Sequence, residues 1–136
     1  MKFKKNRTEN GQAAVEFALI LPIILLIVCA VLDFGWVYLH EISAASAARE
    51  GARKATVCVS DGDFETQVIN RVKSSGGILE DGRMTVTVTR TDPANPRNGD
   101  VVVEIDYTLE ILTPVGYVLF GGSEYTIHNS CTMKAE

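Results

Sequence analysis

Hydrophobic and polar positions divide this chain into three regimes. The first is almost purely apolar: between Gln12 and Leu32 the one ionisable side chain is Glu16, none occurs from Phe17 to Leu32, and Asp33 ends the run. Wound as an α-helix at about 1.5 Å of rise per residue, that stretch is about 30 Å long, the thickness of a bilayer's hydrocarbon core. Its side chains have no polar face to turn to water, so the pattern predicts one membrane-spanning helix. The second regime keeps helix formers but mixes polarity. Small and charged residues alternate through EISAASAAREGARKA, and the helix is expected to run on from about Gln12 to about Ala55. Gly51 inside it lowers local helix preference by about 1 kcal/mol. Ala44, Ala45, Ala47, Ala48, Ala52 and Ala55 leave a smooth surface that another backbone can approach.

Asp61-Gly62-Asp63 then interrupts the pattern. Asp63 is placed to cap a second helix, Phe64 to Ser74, whose Phe64, Val68, Ile69 and Val72 fall on one face before Gly76-Gly77 ends it. The triplet lacks the downstream glutamate of a calcium loop, so a capping turn is expected. The third regime has period two. Met84, Val86 and Val88 alternate with threonines; Val101, Val103, Ile105, Tyr107, Leu109 and Ile111 alternate with Glu104, Asp106, Thr108 and Glu110; Tyr125 to Met133 points Tyr125, Ile127, Cys131 and Met133 inward. TDPANPRNGD is a polar loop at the tip, and apolar Pro114 to Phe120 is a short helix or turn packed on the sheet, closed by Gly121-Gly122. The expected fold class is α+β: a long N-terminal transmembrane helix that continues outside the membrane and carries a small head, with a second helix and a three-stranded antiparallel sheet.

Charge sets the orientation. The formal net charge is −4, yet Lys2, Lys4, Lys5 and Arg7 crowd the first ten residues against Glu9 alone. A basic flank stays on the cytoplasmic side, which puts everything after Asp33 outside; Arg49, Arg53 and Lys54 reduce the contrast. The more acidic remainder argues against nucleic-acid binding. Trp36 and Tyr38 are expected in an aromatic belt at the outer interface. The small-residue run from Ala44 to Ala48 lies far beyond Leu32, too late for a signal-peptidase site, so the span is expected to be retained.

Candidate chemistry is sparse. His40 and His128 have no acidic or thiol neighbour at metal-ligand spacing, and neither a nucleophile signature nor a phosphate-cradling glycine loop is present. No enzyme activity, cofactor, metal or small-molecule substrate is therefore expected. Cys29 lies mid-span as a small packing residue. Cys58 and Cys131 fall in the exported part, where an oxidising compartment permits a disulfide that would pin the last strand to the end of the long helix; the plainer reading is two buried thiols.

Glu16 and Pro22 interrupt the apolar run. A carboxylate near a span's start costs a few kcal/mol unless it is interfacial or paired. Were the chain cut after Gly11, Glu16 would stand one turn into a helix headed by a free α-amino group, and a neighbouring subunit's amine could neutralise it; an interfacial glutamate without a role is the bland alternative. Pro22 removes a backbone donor, which either bends the helix for packing or is simply tolerated.

The string from Gly11 to Pro22, GQAAVEFALILP, resembles the N-terminus of TadE-like pseudopilins, minor subunits of the tight-adherence (Tad/Flp) branch of type IV pili. The resemblance continues through Asp33-Phe34-Gly35 and through Ala47-Ala48-Arg49-Glu50-Gly51-Ala52-Arg53. Asp33 stands where glutamate is commoner, and Trp36 where a basic residue is frequent. The resemblance implies cleavage by a membrane aspartyl prepilin peptidase between Gly11 and Gln12, with Glu16 and Phe17 serving processing and assembly. Gly11 suits that cut because a residue without a side chain lets a protease approach extended backbone. It further implies a minor pilin of the bacterial inner membrane, N-terminus in the cytoplasm, acting in pilus assembly, surface adhesion and biofilm formation, with incorporation into an extracellular pilus. The implied partners are the membrane, the prepilin peptidase, other pilins and pseudopilins, and the Tad assembly platform. On this reading residues 1–11 are a removed leader, 12–38 the membrane part of the helix, and 39–136 the outer head with the upper half of the helix. The alternative is an uncleaved single-pass protein whose outer domain binds a protein or ligand.

Overall fold

The computed structural model describes residues 6–60, 62–92 and 99–135, with side chains described from Gly11 onward. Met1 to Lys5 of the expected leader, Asp61 of the expected turn and residues 93–98 of the expected tip loop lie outside the described residues.

One helix, α1 (Asn6–Cys58), supplies both stem and core. It starts earlier than expected: residues 6–11, taken from the sequence as an unfolded leader, prolong it. Once a helix exists, each added residue gains a backbone hydrogen bond without a new nucleation cost, so a polar N-terminal extension is readily recruited. The helix is continuous through Pro22. From Gly11 to Val28 its surface is exposed throughout, whereas from Ala44 to Cys58 it buries a stripe made of Ala44, Ala47, Ala48, Ala52, Ala55 and Cys58, continued by Val59 just past its end.

That stripe lies against the head. α2 (Phe64–Ser75) buries Phe64, Val68 and Val72 on it, as the helical spacing predicts. Asp63 stands at the N-cap position without a capping side-chain bond; its carboxylate instead accepts from the Gln67 amide at 2.7 Å. A short 3-10 turn (Asp81–Arg83) leads into the sheet of β1 (Met84–Arg90), β2 (Asp100–Glu110) and β3 (Glu124–Lys134). The order is β1-β2-β3 and both pairs are antiparallel, running from Met84 opposite Tyr107 to Arg90 opposite Val101, and from Asp100 opposite Lys134 to Glu110 opposite Glu124. The α+β architecture read from the sequence is the one observed.

The central strand follows its period-two pattern. Val101, Val103, Ile105, Tyr107 and Leu109 are buried against the helices, while Glu104 and Glu110 face solvent. Complete burial of the large apolar side chains, Phe64, Ile105 and Ile127 among them, is worth about 1.5–3 kcal/mol each. Tyr125 departs from its inward assignment. It sits at the end of β3 nearest the apolar stem, exposed on one side and tilted against the Phe120 ring at 5.3 Å, because the sheet face there is covered by the short α3 (Pro114–Phe120) and not by core.

The Cys58–Cys131 disulfide is not formed: both residues are thiols, and Cys58 Sγ donates to the Lys54 carbonyl at 3.1 Å. Register accounts for this. Cys131 is directly opposite Val103, and Val103 packs at the level of Gly51 on α1. Cys58 lies seven residues beyond Gly51, about 10 Å of helix rise, further than the roughly 4.4–6.8 Å Cα spacing a disulfide requires.

Candidate functional site

The segment carrying the sequence signals runs along α1 from its exposed stem to its buried upper half, and it does three different things. At the N-terminal end Gly11, Gln12, Glu16 and Phe17 lie on the exposed stem, and the Gln12 side-chain amide donates to the Glu16 carboxylate at 3.3 Å, one turn away. Gly11 is helical here, where the sequence reading took extended backbone; a hypothetical Cβ on it would meet nothing within 4 Å. The cleavage after Gly11 expected from the sequence would require the first turns to unwind, an inexpensive opening so near a helix end.

Midway, Asp33 is wholly buried although it follows directly on the apolar run. Its Oδ1 accepts the backbone N–H groups of Leu112 and Thr113, both at 3.1 Å, and its Oδ2 accepts the Thr113 hydroxyl in a short bond. The same Thr113 oxygen accepts the Gly116 N–H, so Thr113 caps α3 while its own proton goes to Asp33. Pro114 at the helix start and Gly121 in the left-handed conformation after its end (φ 81°) bound α3 as such residues commonly do. Gly116 is required by proximity: a Cβ there would press into the Asp33 carboxylate and the Ile111 side chain. Beside this clasp Phe34 stacks at an angle on Phe120, ring centres 5.3 Å apart, while Gly35 faces open space.

Further along, the AAREGAR segment joins α1 to α2. Glu50 pairs with Arg71 at 2.8 Å and more distantly with Arg53 at 4.0 Å. The Arg71 hydrogen bond holds the Glu50 carboxyl below the usual carboxylate range; burial opposes it, and the charges of Arg71 and then Arg53 add to the lowering. Gly51 is buried where α1, α2 and β2 meet, and a Cβ on it would overlap the Val72 side chain and lie 3.3 Å from Val103. Arg49 and Arg53 are exposed.

Sequence reasoning missed the inward half of this segment. Trp36, expected in an interfacial belt, turns its ring edge-on to His40 at 4.5 Å, and the buried His40 lies parallel to Tyr107 at 5.6 Å, with Nδ1 2.9 Å from the Trp36 carbonyl. Tyr38 is exposed. The Asp33–Thr113 clasp was equally unforeseen, although Thr113-Pro114 is a helix-start signature and Asp33 is the first acid after the apolar run. His128 pairs with Asp106 on the outer sheet face at 2.5 Å. Among the described residues no group of three or more histidine, cysteine or acidic side chains is gathered as a metal site would need.

α1 is long and apolar enough to cross a membrane, and its most apolar stretch is not buried by any other part of the described residues. No curated protein and no solved structure matches this chain. The family model described as TadE-like protein matches residues 11–53, from Gly11 to the end of the AAREGAR segment, and over that stem the chain is similar to TadE-like proteins.

Proposed function

We propose that this chain is a minor pilin of a tight-adherence pilus, held in the inner membrane by α1 with its basic N-terminus in the cytoplasm, and trimmed by a prepilin peptidase. Hydrolysis of the Gly11–Gln12 peptide bond releases the leader as a carboxylate and leaves Gln12 with a free α-amino group. Glu16, one turn along, then offers its charge to the new amine of a neighbouring subunit, in exchange for the amide contact that Gln12 gives it before cleavage. Phe17 and the residues after it supply the apolar surface by which stems bundle. At Pro22 the missing N–H loosens the helix where neighbouring stems meet.

One observation carries this reading. The family segment coincides with a helix whose apolar lower half is exposed from Gly11 to Val28 and whose upper half is the core of the head. A subunit built so is complete as a fold yet unsatisfied along its stem, first by lipid and then by other stems. The polar outer sheet face and the head's loops are left for contacts with other pilins, the assembly platform or a surface, and adhesion and biofilm formation are the expected outputs.

Co-expression with an active prepilin peptidase tests the first step. The wild-type chain should lose residues 1–11, and Gly11→Leu should keep them. A wild-type chain that retains its leader beside a peptidase that processes a control pilin would overturn the proposal in favour of an uncleaved single-pass protein. Glu16→Gln should still be cleaved yet fail to enter filaments.

A further inference from the structure

The stem is not the chain's single apolar surface at membrane depth. α3 is unusual for a surface helix: from Ile111 to Ser123 no side chain is charged, and Leu112, Tyr117, Val118 and Leu119 are all exposed, Val118 to 84%. Residues of this kind at the tip of a soluble head would be unpartnered. Here their position supplies the partner. Pro114, Val115, Val118 and Leu119 line a groove of about 360 Å³ whose other wall is Leu26 of α1. Leu26 lies seven residues before Asp33, about 10 Å further down the apolar run. The exposed side of α3 thus continues the exposed surface of the span, and it does so at span depth.

We propose that α3 is a second membrane element, a short hook that lies in the outer leaflet beside α1 and seats the head on the bilayer; this rests on α1 crossing the membrane but not on cleavage after Gly11. Amphipathic helices of this kind sink about 5–10 Å into the boundary between headgroups and acyl chains, the depth set by the Leu26 contact. Two further features fit lipid. Backbone N–H groups entering hydrocarbon need internal acceptors, and those leading into α3 have them: Ile111 donates to the Ser123 carbonyl, Leu112 and Thr113 to Asp33, Gly116 and Tyr117 to Thr113. Tyr117 and Tyr125, each partly exposed, rim the segment with the ring-plus-hydroxyl chemistry that favours the interface. On this view the Asp33 clasp is what brings the hook against the stem and holds it at its height.

The test uses the full chain in bilayer nanodiscs loaded with one copy each. Cysteines are placed singly at Val118, at Val57 on the head (80% exposed) and at Leu25 in the span, and reaction with a membrane-impermeant maleimide is followed residue by residue by mass spectrometry. All three positions are on the surface, so the fold is not at risk. The hook predicts that Val118→Cys reacts at least tenfold more slowly than Val57→Cys and approaches Leu25→Cys. Equal rates at Val118 and Val57 with Leu25 protected would overturn it while leaving the span intact. Protection at Val118 that arises only in discs carrying two copies would overturn it in favour of a second copy as the cover. A reactive Leu25→Cys would remove the span itself, and the hook with it.

Discussion

Asp33 and Thr113 are eighty positions apart in the chain, and both oxygens of the Asp33 carboxylate are occupied by Thr113, through its backbone N–H and its hydroxyl. With the Leu112 N–H this makes the one buried acid among the described residues a fastening between the stem and the loop before α3. Hydrogen bonds to a charged acceptor contribute about 1.5–3 kcal/mol each, and an unmet buried donor costs about 1–3 kcal/mol. Asp33→Ala is therefore expected to destabilise the head by at least about 3 kcal/mol in denaturant titration. Asp33→Asn keeps one acceptor oxygen and should lose about half of that. Equal stability of Asp33→Ala and wild type would refute the fastening.

The two glycines of the family motifs should respond oppositely to alanine. Gly35→Ala meets nothing within 4 Å and replaces a poor helix former, so a stabilisation of up to about 1 kcal/mol is expected. Gly51→Ala gains the same preference but drives a methyl group into Val72, a stiff β-branched neighbour. Overpacking of that kind costs about 1–3 kcal/mol, so the net effect should be destabilising, and Gly51→Val more so. Paired thermal melts would check the sign at each site.

Acid should loosen the junction of α1 and α2. Glu50 has a folded-state pKa below its ordinary value, because Arg71 hydrogen-bonds and attracts its charged form. A depressed carboxylate contributes stability that is fully present above its unfolded pKa, about 4.3, and is lost as pH falls through the lower folded value. Wild type should thus exceed Glu50→Gln in melting temperature near neutrality, and the two curves should converge as pH drops below about 4. The bridge is exposed, so the gap will be modest and will shrink with added salt. A gap that widens on acidification would contradict the assignment.

Reducing agent should leave the head's stability unchanged. A disulfide closing a long loop typically contributes about 2–4 kcal/mol, a difference that a melt with and without reductant resolves easily. Because Cys131 and Cys58 sit at different heights along α1, no such difference is expected, and both thiols should alkylate once the chain is unfolded without reduction.

Most of the fold was legible because hydrophobic period alone specifies it. The change from unbroken apolar residues to period 3.6 and then to period two marks α1, α2 and the strands, and the alternation from Val101 to Ile111 fixes which face of β2 is buried. What periodicity cannot carry is the partner across the core. The fate of Trp36 depended on His40 and Tyr107 lying beneath it, and the fate of Asp33 on a loop much later in the chain. The cysteine pairing failed for the same reason: both residues face inward, but the height of β3 along α1 is not written in either segment. The stem residues Gly11, Gln12, Glu16 and Phe17 stood out by composition and motif, since the role proposed for them is defined against lipid and other subunits rather than against the chain's own core.

That α1 is at once stem and central core leaves little room for cutting the protein in two. A truncation that starts after Asp33 frees Leu112 and Thr113 from their acceptor and lets α3 drift; one that starts well before it keeps enough oily rod to precipitate. The shortest water-soluble fragment worth preparing begins only a residue or two ahead of Asp33, and even that version will need its greasy lower rim masked by detergent or by polar substitutions at Val118 and Leu119.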